Sequence, residues 1–377
     1  MKFVLFYHSL VSDWNHGNAH FLRGVVSELL DRSHTVHVYE PADGWSLGNL
    51  RTERGVAIDE FHVAFPELSS RFYELETLDL DAVLEGADVV IVHEWNEPEL
   101  IARIGEHAAR TGCKALFHDT HHRSVTDVES MASLDLRHYH GVLAFGRTVA
   151  ERYREHGWAR ETWVWHEAAD LRRFHPLPRT ECAGDLVWVG NWGDDERGAE
   201  LVEFLIEPAE RLGLNATVHG VRYPQHALHT LRGAGIRHDG WLPNHKVPGV
   251  FARYRCTVHV PRQAYVQQLR GIPTIRMFEA LSCGIPLISA PWYDDEELFR
   301  TGTDYLMAAD GRQMQRHLRA VLTDTELSAS LVRHGLETIR TRHSCAHRVD
   351  ELLSIVGTPG ARRAHPAKAR EALEMSA

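Results

Sequence analysis

The sequence predicts an α/β fold made of two doubly wound domains that face each other across a cleft. Three observations support this prediction. A buried strand, a helical pattern and a second strand follow one another within the first forty residues. The same alternation restarts after a segment with several prolines and a glycine. The length of 377 residues suits two domains of about 150 residues or more, and 44% hydrophobic residues are typical of a globular chain.

The predicted N-terminal domain covers residues 1–170. Residues 3–7 form a continuous apolar run, as expected of a strand that is buried on both faces. Residues 21–30 place apolar side chains at helical spacing, and residues 35–39 form the next strand. Further buried strands are predicted at residues 89–92, 114–117, 142–145 and 162–165.

A linker is predicted at residues 171–183 and a second α/β domain at residues 184–357, whose last helix can return to the N-terminal domain. Residues 358–377 are rich in Ala, Arg and Lys, and we expect a flexible tail. The strands predicted for the second domain lie at residues 186–189, 216–219, 257–260, 287–289 and 305–308. Loops after strands are the expected ligand sites in such sheets.

Charge and composition exclude several classes of function. The formal net charge is −11, which lacks the positive footprint of a protein that binds nucleic acid or an anionic membrane. The five scattered cysteines are typical of reduced thiols. No apolar run reaches about 18 residues, and no signal-peptide pattern opens the chain. We therefore expect a cytoplasmic protein without stable membrane insertion or a nucleic-acid partner, whose oligomeric state stays open.

Residues 271–288 form the segment richest in chemistry. Pro273 suits the first turn of a helix and Gly284 its left-handed end. The N-terminus of this helix would point free N–H groups at the cleft, which suits a phosphate. Glu279 shares a face with Arg276 about 7 Å from the helix start, where it could accept hydrogen bonds from a ribose. A simple Arg–Glu pair on a solvated face explains this spacing equally well.

Residues 276–286 (RMFEALSCGIP) resemble the C-terminal signature of retaining GT-B glycosyltransferases of family 4, in particular their spore-maturation-protein-like branch. Residues 185–191, with Arg197 following, resemble the first strand of the family's C-terminal domain and its glycine loop. Residues 167–176 resemble the inter-domain segment. The resemblance implies the GT-B architecture, in which two Rossmann-like domains face a central cleft.

The resemblance also implies an activity. It indicates a hexosyltransferase that moves a sugar, with retention and without a metal, from a nucleotide-diphosphate sugar to an acceptor hydroxyl. The donor is a co-substrate and no cofactor is implied. The acceptor, a small molecule or a glycan, would lie mainly on the N-terminal domain. A sugar-nucleotide epimerase or hydrolase and a catalytically silent scaffold that binds nucleotide sugars are the alternatives.

Donor contacts follow from the same resemblance. Glu279 would hold the ribose, while a guanidinium near the diphosphate would stabilise the departing charge. The predicted donor-binding residues are Asn191, Arg197, Trp241, Thr274, Arg276 and Glu279. The family often has a second glutamate eight positions before Glu279, but this position is Gly271 here. The residues that could replace its contact to the donor sugar are Gln267, Gln268 and Arg270.

Loops of the N-terminal domain supply the catalytic and acceptor candidates. Residues 117–123 (FHDTHHR) follow a predicted strand, and the resemblance favours His118 and Asp119 as the catalytic pair, with His121 or His122 as the second choice. A metal site and helix-capping histidines are alternative interpretations, although the pattern of a zinc hydrolase is missing. Contacts in the cleft or with the acceptor are predicted for His16, Gly17, Asn18, Glu94 and His121.

Overall fold

The structure, a computed structural model, describes residues 1–14, 17–53, 57–178, 181–193 and 196–357. The predicted tail lies outside these ranges. A seven-stranded parallel sheet contains β1 Lys2–Phe6, β2 Thr35–Pro41, β3 Ser70–Tyr73, β4 Val89–His93, β5 Lys114–Asp119, β6 Gly141–Ala144 and β7 Thr162–Val164. A six-stranded parallel sheet contains β8 Gly184–Val189, β9 Ala216–His219, β10 Arg237–His238, β11 Tyr254–His259, β12 Leu287–Ser289 and β13 Leu306–Met307.

Helices connect the strands. In the first half of the chain they are α1 Asn18–Asp31, α2 Trp45–Glu53, α3 Ala57–Ala64, α4 Leu80–Leu84, α5 Pro98–Thr111, α6 Arg123–Thr126, α7 Val128–Ala132 and α8 Arg147–Glu155. In the second half they are α9 Gly198–Leu201, α10 Glu207–Leu212, α11 Gln225–Gly233, α12 Val247–Phe251, α13 Gln263–Gln267, α14 Ile275–Cys283, α15 Gly311–Thr323, α16 Thr325–Arg342 and α17 Cys345–Ile355. Within the described ranges, every helix is too short or too polar to cross a membrane.

The order of the strands reverses beside the first strand of each sheet. The first sheet has the order β3-β2-β1-β4-β5-β6-β7, and the second has the order β10-β9-β8-β11-β12-β13. A parallel sheet of this topology leaves a crevice at the carboxyl ends of its strands, where the order reverses. The predicted fold class, α/β with two doubly wound sheets, is therefore confirmed.

β1 shows why the central strands are easy to predict. Its side chains alternate between two hydrophobic clusters, with Phe3 and Leu5 in one cluster and Val4 and Phe6 in the other. Because successive side chains point to opposite faces, a strand that is covered on both faces must be apolar at every position. The edge strands β3 and β10 are partly exposed and polar, and no apolar run in the sequence predicts them.

The last helix, α17, packs on the first helix of the chain. A Cβ atom at Gly24 of α1 would lie 2.4 Å from the Cys345 sulfur of α17, so this approach requires glycine. The indole N–H of Trp165, which follows β7, donates to the carbonyl of Arg348 in α17 at 2.8 Å. The chain thus returns from the second sheet to the side of the first. The exact domain boundaries stay a prediction.

Candidate functional site

The candidate site is a cavity of about 470 Å³ between the two sheets. Both of its walls lie at the carboxyl ends of parallel strands. The N-terminal wall consists of Asp13, Gly17, Asn18, Trp45, Trp95, Thr120, His121, His122 and Phe145. The C-terminal wall consists of residues 188–191, 196, 197, 219–222, 241, 242, 259, 260, 262, 265 and 274–276. Glu167, which follows β7, also lines the cavity.

Arg197 follows the glycine-bearing loop after β8 and is half-buried in the C-terminal wall. Its guanidinium donates to the carbonyl of Val260 at 2.9 Å, and to the backbone and side-chain oxygens of Asn191 at 2.8 and 2.9 Å. It also lies 5.2 Å from the centroid of the Trp188 ring. Burial, with a contribution from Arg262, lowers the pKa of Arg197 to about 10. These hydrogen bonds end on neutral oxygens, which leave the positive charge of the guanidinium in place. An anion in the cavity would therefore be attracted to Arg197.

The N-terminus of α14 lies in the same wall. Thr274 precedes the helix, and its hydroxyl lies 3.1 Å from Nε2 of His259. The Glu167 carboxyl group accepts a hydrogen bond from the Ile275 N–H. Burial, with a contribution from Glu279, raises the pKa of Glu167 to about 8, so its side chain is mainly neutral at neutral pH. The helix N-terminus thus meets an uncharged acid, and its dipole still favours an anion.

Glu279, the predicted ribose contact, is fully buried in α14 and is not part of the cavity wall. Its Oε1 lies 3.0 Å from Nδ1 of His20 and accepts from the Asn244 amide at 2.6 Å, while Oε2 pairs with Arg276. Because Nε2 of His20 accepts the Asp170 N–H, Nδ1 carries the proton. Burial raises the pKa of Glu279, but Arg276 and these hydrogen bonds outweigh it and leave the pKa below its usual value. The Glu279 carboxylate thus links α1 of the N-terminal domain to α14 of the C-terminal domain.

The other predicted donor residues share the C-terminal wall. Those that line the cavity are Asn191, Arg197, Trp241, Thr274 and Arg276. Trp241 also packs against the small cluster of Trp14, Leu50 and Ala57. Trp241 therefore lines the cavity and packs against the N-terminal domain at the same time. The donor roles of these residues stay a prediction.

Two of the predicted loop residues, Gly17 and Asn18, line the N-terminal wall, whereas His16 lies outside the described residues. A Cβ atom at Gly17 would lie 2.8 Å from Cγ2 of Ile275, so the approach of α14 requires glycine here. The Asn18 amide nitrogen lies 2.9 Å from Nε2 of His93 at the end of β4. The loop therefore provides both a close contact between the domains and a polar group at the cavity.

Residues 117–123, which contain three histidines, are divided between the core and the cavity. His118 and Asp119 belong to β5, are fully buried and are not part of the cavity wall. Nδ1 of His118 lies 2.7 Å from the Tyr7 hydroxyl, and burial lowers the pKa of His118 to about 3. Asp119 accepts from the Tyr153 hydroxyl at 2.9 Å. Burial and then Asp119 raise the pKa of Glu94 well above its usual range, and Glu94 also lies behind the wall.

His121 and His122, the second choice for catalysis, do line the cavity. Their ring centroids are 3.9 Å apart, and the centroid of His121 lies 5.2 Å from that of Trp95. Nε2 of His122 lies 3.7 Å from the Glu196 carboxylate across the cavity. Among the residues that the structure describes, no three His, Cys, Asp or Glu side chains meet in a way that could hold a metal ion.

Gly271 occupies the position where the family often has its first glutamate. Its φ of +89° is a left-handed conformation, and a Cβ atom there would lie 3.0 Å from Cγ of Glu296. A larger side chain would therefore be strained at this position. Gln267, Gln268 and Arg270 are exposed and do not line the cavity, so the structure does not place a replacement among them.

Several residues of the cavity wall are not predicted by the motifs. Glu167 comes three residues after the end of β7, and Trp45 begins the helix after β2. Tyr265 and Arg262 follow β11. All four residues follow the end of a strand. This position points to a ligand site only when the strands and their order in the sheet are known.

The chain was compared with known proteins. Residues 197–354, less than half of the chain, match a family model described as "Glycosyl transferase-like". A search of curated proteins found no match.

Solved structures match nearly the whole chain. Anabaena Alr3699/HepE, in complex with UDP and glucose, is 14% identical with a TM-score of 0.67, over 95% of this chain and 100% of its own. A glycosyltransferase from Rickettsia africae is 12% identical with a TM-score of 0.66, over 94% of this chain and 97% of its own. An α-glucosyltransferase in complex with UDP-glucose and DNA is 11% identical with a TM-score of 0.69, over 95% of this chain and 100% of its own.

At these identities the structural matches establish the fold. The spore-maturation-protein-like branch stays a prediction. The chain has the GT-B fold, its residues 197–354 match the glycosyl transferase-like family, and the predicted resemblance to GT-B glycosyltransferases is confirmed.

Proposed function

We propose that the protein is a glycosyltransferase that moves a sugar from a nucleotide-diphosphate sugar to an acceptor hydroxyl. The observation that carries this proposal is that Arg197 and the N-terminus of α14 line the same wall of one cavity. A guanidinium whose hydrogen bonds end on neutral oxygens and a helix N-terminus both favour negative charge. The family match and the UDP-containing complexes that share the fold support this use of the wall.

On the donor side, the diphosphate would lie between Arg197 and the first turn of α14. Asn191 holds the guanidinium through its side-chain oxygen, so Arg197 is oriented before the donor arrives. As the bond to the sugar breaks, Arg197 and the helix N–H groups would stabilise the charge on the leaving diphosphate. Trp241 in the same wall would contact the base. This division of roles needs no metal ion, and we propose metal-independent transfer with retention at the anomeric carbon.

Glu167 fits this scheme as a neutral acid. A carboxylate at the N-terminus of α14 would repel a diphosphate, but the raised pKa keeps Glu167 mainly protonated at neutral pH. The protonated group would be able to donate a hydrogen bond to a phosphate or sugar oxygen. We therefore place Glu167 among the donor contacts.

On the acceptor side, we assign the contact with the hydroxyl to His121. It lines the N-terminal wall, whereas His118 and Asp119 lie behind that wall in β5. A histidine in the wall can orient the hydroxyl or remove its proton. Asp119 would then be a positioning residue, since it accepts the His121 N–H at 3.0 Å. His118, which lies within hydrogen-bond distance of the buried Tyr7 hydroxyl, would support the strand behind the wall.

A thermal-shift series tests the donor site. The probes are UDP, GDP, ADP, CDP, dTDP and their common sugar conjugates, applied to the wild type and to Arg197→Ala. A ligand at 100 times its Kd stabilises a protein by about 2.7 kcal/mol, which is a shift of a few degrees. Arg211→Ala is the matched control, since Arg211 is an exposed arginine paired with Glu207 on α10. One base should shift the wild type and the control but not Arg197→Ala; no shift from any nucleotide would contradict the proposal.

Product analysis separates the activities. With the donor that binds, a glycosyltransferase releases free sugar slowly and speeds up when an acceptor is added. Fast release that no acceptor changes would indicate a hydrolase, an epimerised sugar nucleotide would indicate an epimerase, and binding without turnover would indicate a scaffold.

NMR of the product anomer tests retention, and an excess of EDTA tests metal independence.

A further inference from the structure

The N-terminal wall of the cavity carries two large aromatic side chains that reach the cavity. Trp45 and Trp95 are 43% and 40% exposed, and both line the cavity. The ring of His8 contacts both, with centroid distances of 6.2 Å to Trp45, where the rings are 29° apart, and 6.3 Å to Trp95, where they are 67° apart. We call Trp45, His8 and Trp95 the aromatic platform. Two exposed indoles in one cleft offer apolar surface that a ligand can cover.

Neighbouring side chains hold the platform in place. The Trp14 ring meets Trp45 edge to face at a centroid distance of 5.9 Å. The Arg123 guanidinium lies 4.9 Å from the centroid of Trp95 and donates to the carbonyl of Glu94 at 3.1 Å. Because these contacts restrict both indoles before a ligand arrives, a ligand that stacks on them loses little side-chain entropy from the protein.

The charge of the wall restricts the ligand. Among the described residues that line the cavity, every Lys or Arg belongs to the C-terminal wall. On the N-terminal wall the carboxylate of Asp13 is paired with the buried Arg23 at 2.9 Å, and burial lowers the pKa of His122. Arg123, which contacts Trp95, is already paired with the Asp127 carboxylate at 3.5 Å. A phosphate, sulfate or carboxylate on the acceptor would have to compete with that carboxylate.

Polar groups lie on the same wall as the platform. Asn18 and Thr120 line the same wall, with the Asn18 amide nitrogen 3.4 Å from the Thr120 hydroxyl. Indole faces that share a wall with amide and hydroxyl groups match a sugar ring, which has a face of C–H groups and a rim of hydroxyls.

We propose that the aromatic platform is the acceptor subsite and that the acceptor is an uncharged saccharide whose sugar rings pack against Trp45 and Trp95. This inference rests on the proposed function, in which the acceptor lies on the N-terminal wall. It narrows the acceptor from small molecules and glycans in general to neutral glycans.

A glycan array tests the inference. The array carries neutral, sialylated and sulfated glycans, and it is probed with the full chain with and without UDP; a single-stranded oligodeoxynucleotide is titrated separately. The variants are Trp45→Ala, Trp95→Ala and the conservative Trp95→Phe. Phe72→Ala is the control, since Phe72 is an aromatic residue of the same domain that is 45% exposed and lies outside the cavity wall.

We expect binding to neutral glycans that each Trp→Ala variant weakens about tenfold and that Trp95→Phe and Phe72→Ala largely retain. The thermal shift caused by the nucleotide should be unchanged in all four variants. Binding to charged glycans or to the oligonucleotide alone, no binding to any neutral glycan, or neutral-glycan binding that neither Trp→Ala variant weakens, would overturn the inference. If the nucleotide shift persists in that case, the donor proposal stands; if it is absent from the wild type, the proposed function fails first.

Discussion

The two walls of the cavity are built from opposite chemistry. The C-terminal wall holds charged side chains, among them Arg197, Arg262 and Arg276, next to a helix N-terminus. The N-terminal wall holds aromatic rings, polar groups and the Asp13 carboxylate, which is paired with Arg23, and Trp45 and Trp95 are exposed to the cavity. A site that must attract an anion and a site that must receive an uncharged ring need different surfaces. The difference agrees with a donor on one wall and an acceptor on the other.

The two domains also meet through polar contacts. Glu279 of α14 contacts His20 of α1, and Asp13 of the N-terminal loop accepts the Asn244 N–H at 3.0 Å. At a second place, Glu296 accepts the Arg147 N–H at 2.7 Å. Substitutions within one wall and substitutions at the contacts between the domains therefore test different parts of this comparison.

The largest effect on stability is expected at the contact of Glu279 with His20 and Asn244, where the domains meet. Glu279→Ala removes a buried carboxylate and leaves His20, Asn244 and Arg276 without their partner, so we expect the free energy of unfolding to fall by about 3 kcal/mol. Urea denaturation measures this change. Glu207→Ala, which breaks an exposed pair with Arg211 on one helix, should cost less than about 0.5 kcal/mol. Equal losses in both variants would mean that the buried contact does not join the walls.

Within the C-terminal wall, Arg197→Ala should lower kcat/KM by about a hundredfold or more, because the charge that develops on the leaving diphosphate loses its guanidinium. Initial rates with the donor found by thermal shift measure this loss. Arg197→Lys keeps the charge but loses the fork that binds Asn191 and Val260, and it should recover only part of the rate. Rates within twofold of the wild type would remove Arg197 from the mechanism.

Because Glu167 has a shifted pKa, we expect the free energy of unfolding to depend on pH. Its pKa rises from the ordinary 4.5 in the unfolded chain to about 8 in the fold, where burial and then Glu279 raise it and Arg276 opposes the rise. The native structure therefore favours the protonated acid, so the contribution of Glu167 to the free energy of unfolding is fully present below about pH 4.5 and falls as the pH rises towards about 8. Glu167→Gln should abolish this component and be at least about 1 kcal/mol more stable than the wild type near pH 8.5.

Urea denaturation between about pH 5 and pH 8.5 measures this difference. Glu99→Gln, a change at an exposed glutamate, is the control and should follow the wild type. If Glu167→Gln loses stability with pH as steeply as the wild type, Glu167 is already ionised in the fold at neutral pH.

The smallest effect is expected at Gly271. Gly271→Ala places a Cβ atom in a left-handed backbone and 3.0 Å from Glu296, so we expect a loss of about 1–2 kcal/mol. Gly48→Ala in α2, where nothing lies within 4 Å of the added atom, should be neutral or stabilising. Thermal or urea unfolding compares the two. A neutral Gly271→Ala would show that the backbone there relaxes and that a side chain is admissible.

The sequence predicted the fold well and the site in part. Apolar runs such as residues 3–7 mark central strands, because these strands are covered on both faces. The same argument misses β3, whose residues are mostly exposed at the sheet edge. In the site, the residues of the glycine loop and of the α14 N-terminus do line the cavity, since their positions follow from the ends of β8 and α14.

The catalytic candidates show where the prediction is limited. β5 continues through Asp119, so His118 and Asp119 are strand residues in the core and His121 is the first histidine in the cavity wall. A predicted strand that ends at residue 117 puts all of them in the loop. An error of two residues at a strand end therefore decides which side chains can meet a ligand.

The sequence by itself determined the two doubly wound sheets, the helix N-terminus of α14 and the net negative charge, because periodicity, Pro–Gly punctuation and composition act locally along the chain. Only the tertiary structure decided that Glu279 is bound by His20 and Asn244, that Glu167 is a neutral acid at a helix N-terminus, and that Trp45 and Trp95 share one wall. These properties depend on burial and on contacts between residues far apart in sequence, which set the dielectric surroundings and the partners of each group.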